Sequence, residues 1–414
     1  MSFPLQPQSH RWRVWCLHRQ VSSRGLPRRE FSRGISWTGT CLALSLLAVG
    51  CAGLRLDRPF RAGQNDWLMY GGDQSRVNRT TAEIAPPLEL LWEYNALAGI
   101  TSSPLVRDSV MLVTTLHGEL QAVNMNTGKR LGYVVLESSI AGTPAWDGAN
   151  VYIPISSGSE SLVCLGLNRA ERRWAVFIGS IESSPLIVGE QLFVTTLGGV
   201  LYALNKIDGE EIWKFETAPK GRRKPIRSSP ASDGEVLVFG SDDGTLYGIN
   251  LKDGSLRWKY QTSGSIFGTP IIKGGHALVG SQDGWLYSVD VMTGSLRWKY
   301  ETGSRIFGPA SANHDLVFIG SADGQLHAVN TESGKNVWTF STRSVINSAP
   351  LVAGAYLYFG SLDRTLYTLR AETGEELWRL PLEGRVKVSP VLWGNTLLVT
   401  YEDKFISALR HSRD

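Results

Sequence analysis

A tryptophan returns about every 40 residues through most of this chain, and the text around it returns with it. Residues 239–260, FGSDDGTLYGINLKDGSLRWKY, are followed forty positions later by VGSQDGWLYSVDVMTGSLRWKY and forty further by IGSADGQLHAVNTESGKNVWTF. Aligned on the aromatic, the copies fall at Trp92, Trp174, Trp213, Trp258, Trp298, Trp338 and Trp378, with Gly132 holding the place in a degenerate copy. These eight positions are spaced 40, 42, 39, 45, 40, 40 and 40 residues apart. A proline after small residues gives the same register: Pro104, Pro144, Pro270, Pro350 and Pro390 follow by twelve, Pro185 and Pro309 by eleven, and Pro230 by seventeen. Such a period must be recognised before any local motif is interpreted.

Within one copy, VLVF and TLYGIN read as short strands joined by a small-Ser-x-Asp-Gly hairpin turn, since glycine accepts positive φ and aspartate bonds neighbouring amides. A second turn such as Thr293-Gly294 opens the tryptophan strand, and a short strand near the proline completes four. Four strands in about 40 residues make a propeller blade. Trp92 has no hairpin before it, and the last copy ends at FISALRH with no tryptophan strand after it. The two ends complement each other, so the fold expected is an all-β, eight-bladed β-propeller whose last blade is closed by an N-terminal strand, leaving no unpaired partial blade.

Equivalence around the ring argues that the seven tryptophans dock blade on blade rather than bind a ligand. Asp243, Asp283, Asp323, Asp363 and Asp403 recur at 40, and their hairpin positions favour turn capping over calcium, which needs several oxygens converging in one loop.

The opening 50 residues differ from the rest. They hold seven arginines and one acid, so the chain's 42 basic and 38 acidic residues become 35 and 37 once the opening is set aside. That removes the compositional case for nucleic-acid binding. The apolar run Leu42 to Val49, after a basic region and too short to span a bilayer, resembles an export signal. Cys51 directly after it resembles the lipid-bearing cysteine of a bacterial lipoprotein, although Ala48 stands where leucine is usual and ordinary cleavage nearby stays open. Arg28-Arg29-Glu30-Phe31 resembles a twin-arginine export motif, with Pro27 departing from the usual serine or threonine. The organisation expected is therefore a leader over 1–50, lipid attachment and tether over 51–64, and the propeller over 65–414. Cys164 is the one cysteine left in the propeller, which excludes an internal disulfide or CxxC site there.

The segment NDWLMYGGDQSRVN, residues 65–78, and the AxNxxTGxxxW-like repeat, seen in Ala328-Val329-Asn330 with Gly334 and Trp338, resemble the quinoprotein-type (PQQ) propellers over about residues 65–410. An eight-bladed propeller on a lipoprotein signal is similar within them to the BamB family of the outer-membrane β-barrel assembly machine. That resemblance implies a non-catalytic envelope scaffold on the periplasmic face of the outer membrane, monomeric on its own and partnered by another envelope protein. Quinoprotein dehydrogenases are the rival, implying a PQQ-type enzyme, but no Cys-Cys pair exists here. Nor is there HExxH, a P-loop, GxGxxG or GxSxG, and His117, His276, His314, His327 and His411 lack ligand spacing. No catalytic residue, metal ligand or cofactor is assigned.

Two further features bear on binding. The residues before the small-small-Pro elements, Thr101, Ala141, Glu182, Arg227, Phe267, Phe307, Asn347 and Lys387, should ring one channel mouth; the neighbouring phenylalanines are read as a small apolar patch there or, the reading preferred, as packed in the core. Five extra residues break the period between Trp213 and Pro230, where Lys220, Arg222, Arg223, Lys224 and Arg227 crowd together. A solvated loop is the plain reading, and contact with an acidic partner is the functional one.

Overall fold

The computed structural model describes residues 53–56, 60–63, 65–136, 138–401 and 404–412. The leader, Cys51 and Asp403 lie outside them. Every regular element among the described residues is a β-strand, and eight sheets form, each holding one four-stranded antiparallel blade.

Blade 1 is Leu105–Arg107, Val110–Thr114, Glu119–Asn124 and Arg130–Val135. Blade 2 runs from Ala145–Trp146 to Glu171–Val176, blade 3 from Leu186–Val188 to Glu211–Glu216, and blade 4 from Ala231–Ser232 to Leu256–Gln261. Blade 5 runs from Ile271–Lys273 to Leu296–Glu301, blade 6 from Ser311–Ala312 to Asn336–Ser341, and blade 7 from Leu351–Ala353 to Glu376–Pro381. Blade 8 joins Val391–Trp393, Thr396–Tyr401 and Phe405–His411 to the N-terminal strand Leu88–Asn95, with Trp92 opposite Ala408. The ring closes as the complementary ends of the repeat require.

The first strands lie nearest the axis, where those of adjacent blades approach one another. Their small-small-Pro entries explain themselves there. The Ser103 amide donates to Thr143 Oγ1, Thr143 to Ser184 Oγ, Ser184 to Ser229 Oγ, Ser229 to Thr269 Oγ1 and, further round, Ala349 to Ser389 Oγ, at 2.8 to 3.4 Å. Short hydroxyl side chains thus pair the buried amides that no strand reaches. The chain of bonds skips blade 6, where Gly308 brings no hydroxyl and Pro309 is displaced.

Each outer strand carries a β-bulge just before its tryptophan position, a device that re-aims a side chain. The indole then crosses to the next blade. Nε1 of Trp92, Trp174, Trp258, Trp298 and Trp338 donates to the carbonyls of Met125, Lys206, Val291, Thr331 and Ala371 at 2.7 to 3.1 Å. Its ring lies flat on the turn glycine of that blade; a methyl on Gly294 would stand 2.6 Å from Trp258, and Gly294 has φ +71° besides. This is why a glycine stands in the turn before the outer strand of blade 1 and of blades 3 to 7. Trp213 packs on Gly254 but leaves Nε1 buried without an acceptor, and Trp378 packs against the core of blade 8.

Three of the recurrent aspartates cap turns. Asp243, Asp283 and Asp323 accept the amide two residues on, and Asp243, Asp283 and Asp363 accept the hydroxyls of Tyr247, Tyr287 and Tyr367 at 2.7 to 2.9 Å. Among the described residues no cluster of His, Cys, Asp and Glu is placed to hold a metal ion.

Candidate functional site

Residues 67–80 lie outside the repeat and run around one end of the axis, visiting the first strands in ring order. Trp67 pairs with Val106 of blade 1, and the carbonyls of Leu68, Gln74, Ser75, Val77 and Asn78 accept amides of blades 2, 4, 5, 6 and 7, from Trp146, Ser232, Ile272, Ala312 and Val352. Arg79–Thr80 then adds a parallel strand to blade 7. Blade 3 is reached by a side chain. Arg76, 1% exposed, donates to the carbonyls of Ser184 and Pro185 in blade 3, Pro230 in blade 4 and its own Tyr70, at 2.6 to 3.2 Å. Asn78 does the same for Pro350 at 2.6 Å. Burial holds the Arg76 guanidinium down at about 10, still a cation at neutral pH.

The glycines of the motif are required by this path. A methyl on Gly71 would meet Arg76 Cα at 2.8 Å, and one on Gly72 would press on the Trp67 ring at 3.3 Å. Asp73 caps the turn by accepting from the amide and hydroxyl of Ser75. Nothing in the sequence motif itself assigns Arg76 or Asn78 a role. The usable signal was that it is the one aromatic, glycine-rich stretch of the propeller with no counterpart forty residues away.

At the other end of the first strands the residues before the prolines form the mouth. Thr101 Oγ1 donates to the Ala141 carbonyl at 3.0 Å, and Arg227 pairs with Glu182 at 3.4 Å, so neighbours in this ring touch across blades. Arg227 also pairs with Asp242 and lies over the Phe267 ring at 5.3 Å from its centroid. Phe267 and Phe307 are half-buried at this mouth rather than packed in the core, because the connection from each outer strand to the first strand of the next blade delivers them to its rim.

A multiply anionic quinone needs cations converging on it. Arg227 is committed to two carboxylates, Lys387 has an interaction of its own four blades round, and the charge of Arg76 is spent on main-chain carbonyls. These residues do not fit such a cofactor. Cys164, buried on the third strand of blade 2, has its thiol pushed up to about 12 by that burial, so it is unreactive.

The basic loop is divided in its duties. Arg223 pairs with Glu216 and donates to the Ala218 carbonyl at 2.9 Å, while its Cβ packs over Gly199 of blade 3. Arg227 belongs to the mouth. Lys220, Arg222 and Lys224 are exposed, with no carboxylate partner among the described residues. The two anchored arginines hold the loop while the other three cations face solvent.

The sequence model of the family described as outer membrane protein assembly factor BamB matches residues 136–215, 197–307 and 302–412. The BamB of Shewanella oneidensis is 25% identical over 176 residues, covering 39% of this chain and 44% of that protein, so the match spans less than half of the relative's length. Among solved structures, BamB from Moraxella catarrhalis superposes with a TM-score of 0.67 at 20% identity, over 78% of this chain and 100% of that one. The quinohemoprotein alcohol dehydrogenase of Comamonas testosteroni superposes with 0.71 at 14% identity, over 85% and 82%. At those identities the superpositions speak for the propeller fold, which enzymes and assembly factors share. The family model, running from blade 2 to the closing blade, decides the membership: this chain belongs to the BamB-type PQQ-repeat family.

Proposed function

We propose that this chain is a non-catalytic scaffold, held at the periplasmic face of the outer membrane by a lipid on Cys51, which binds an envelope protein during assembly of outer-membrane β-barrels. The observation that carries the reading is that the chain's own residues 67–80 bond the first strands around the ring, with Arg76 buried and spent on backbone carbonyls. A propeller so occupied works from its loops and rims. The loop bearing Lys220, Arg222 and Lys224 offers a carboxylate-rich partner three free cations on a braced support, which favours fast, salt-sensitive association.

Cross-linking in native membranes, with identification of what is captured, tests this. Replacing Lys220, Arg222 and Lys224 by glutamate is expected to weaken capture while leaving thermal unfolding nearly unchanged, and salt should weaken the parent contact because exposed charges are screened beyond about 8 Å at physiological ionic strength. Unchanged capture and salt dependence would reduce the loop to a solvated insertion. Cys51→Ala should release the protein from membranes; retained acyl labelling would refute the anchor. The rival quinoprotein reading predicts a quinone absorption band in protein purified from its native host.

A further inference from the structure

Blade 1 lacks its tryptophan, and the structure gives the reason. Gly53 bridges Tyr133 in parallel, the Leu54 amide donates to the Tyr133 carbonyl at 3.2 Å, and the Leu56 amide donates to Asn168 of blade 2 at 3.3 Å. Leu54 and Leu56, 1% and 7% exposed, join the core between blades 1 and 2 beside Ile153, Leu165 and Leu167. A methyl on Gly132 would stand 2.9 Å from Leu54 Cα, so any side chain there collides with this segment's backbone. The partner glycine has changed as well. In blade 2 the turn position that elsewhere faces an indole is Ala170, at φ +52°. Two coupled departures from the repeat thus make one receptor groove, and its occupant is the chain's own N-terminal segment.

Exposed cations surround that groove. Lys129 stands before the outer strand of blade 1 and Arg130 opens that strand, Arg169 stands in the corresponding turn of blade 2, and Arg55 lies between them on the docked segment. Arg130 lies over Tyr133 at 4.8 Å from the ring centroid. Arg55, Lys129 and Arg169 have no carboxylate partner among the described residues, whereas Arg172 and Arg173 nearby are paired with Glu160 and Glu171. From Cys51 to Leu54 the chain can reach at most ~11 Å.

We propose that docking of residues 53–56 into the blade 1 and 2 groove sets that rim against the bilayer, where Arg55, Lys129, Arg130 and Arg169 contact anionic phospholipid headgroups. The inference rests on the reading that Cys51 carries a lipid. Basic residues beside an anchor add to its hold on anionic membranes and fade with salt. The anchor then positions the propeller instead of merely tethering it.

The test reconstitutes the full chain, extracted from membranes, into vesicles of phosphatidylcholine with or without phosphatidylglycerol, carrying a lipid-borne quencher. A fluorophore is attached at Thr127→Cys, in the blade 1 turn, or at Thr293→Cys, its counterpart four blades round. Strong quenching at 127 and little at 293, accentuated by phosphatidylglycerol and reduced by salt, is expected. Gly132→Trp restores the repeat residue and should expel the segment, so that hydrogen exchange at Leu54 and Leu56 rises and the two positions quench alike. Vesicle-bound parent protein with equal quenching at both positions overturns the orientation. Protein that fails to join vesicles at all overturns the anchor reading and this inference with it. If Gly132→Trp leaves exchange at Leu54 unchanged while circular dichroism shows a folded propeller, the groove is not the segment's receptor.

Discussion

Blades 4 to 7 and blades 8, 1, 2 and 3 are halves of one ring built on one plan, yet they keep to it differently. In the first arc the contacts at the blade joints repeat at 40, with blade 6 departing only where Pro309 is displaced and His327 replaces a tyrosine. Ile266, Ile306, Ile346 and Val386 press on Gly240, Gly280, Gly320 and Gly360, and Thr262, Thr302 and Thr342 tie each turn to the blade before it. In the second arc each blade departs from the plan where something else packs. Blade 1 gives up its tryptophan to Leu54, blade 2 replaces the turn glycine by Ala170, blade 3 is followed by the braced basic loop, and blade 8 borrows a strand. The regular arc teaches how the ring stands up, and the irregular arc teaches where the rest of the chain and its partners attach.

The borrowed strand within the irregular arc should break most severely. Trp92→Ala removes a half-buried indole, at a cost of up to about 3–5 kcal/mol, and loosens a strand paired across more than three hundred residues. Hydrogen exchange should rise in Phe405–His411, its sheet neighbour; a rise confined to residues near 92 would contradict the closure. Next comes a direct contest between arcs. Trp258→Ala loses packing and also leaves the Val291 carbonyl without its donor, a penalty of about 1–3 kcal/mol beyond the cavity. Trp213→Ala leaves no such orphan, since its Nε1 has no acceptor, so denaturant midpoints should fall further for position 258. Leu54→Ala should follow at about 2–5 kcal/mol or less, because the segment can slide in its groove.

How much of this was legible beforehand follows from the same division. Whatever repeats could be read, because eight copies average out local noise: the blade count, the closing strand and the turn role of Asp243 and its counterparts all follow from spacing. Whatever happens once had no period to betray it. Arg76 looks like any polar residue in a loop until it is seen bonding carbonyls more than a hundred residues away, and Gly132 reads as decay of the repeat until Leu54 is found in its place. The mouth phenylalanines were misjudged because apolar type alone does not say which side of a strand entry faces the channel.

The smallest expected effect belongs to blade 6. His327 occupies the position of the tyrosines that bond aspartate in blades 4, 5 and 7, and burial lowers its pKa from the ordinary 6.5, with Asp323 opposing and Tyr300 and Ser321 alongside. The unfolded chain then binds a proton that the folded one resists, so stability should decline as pH falls below 6.5 and level off under the depressed value. A His327→Tyr variant, which matches its neighbours, should flatten that decline in denaturant titrations run across the range.

The borrowed strand of blade 8 also sets a schedule. Leu88–Asn95 emerges early in synthesis and finds its partner only when Phe405–His411 has been made. Until then its hydrogen-bonding edge is open, the condition under which strands join foreign chains. Bringing such distant ends together costs little more entropy than closing a much shorter loop, since the penalty grows only with the logarithm of length. Waiting, rather than closing, is the hazard, so a holding chaperone should matter most in the interval before the last twenty residues arrive, and truncations that remove them should aggregate instead of yielding a seven-bladed ring.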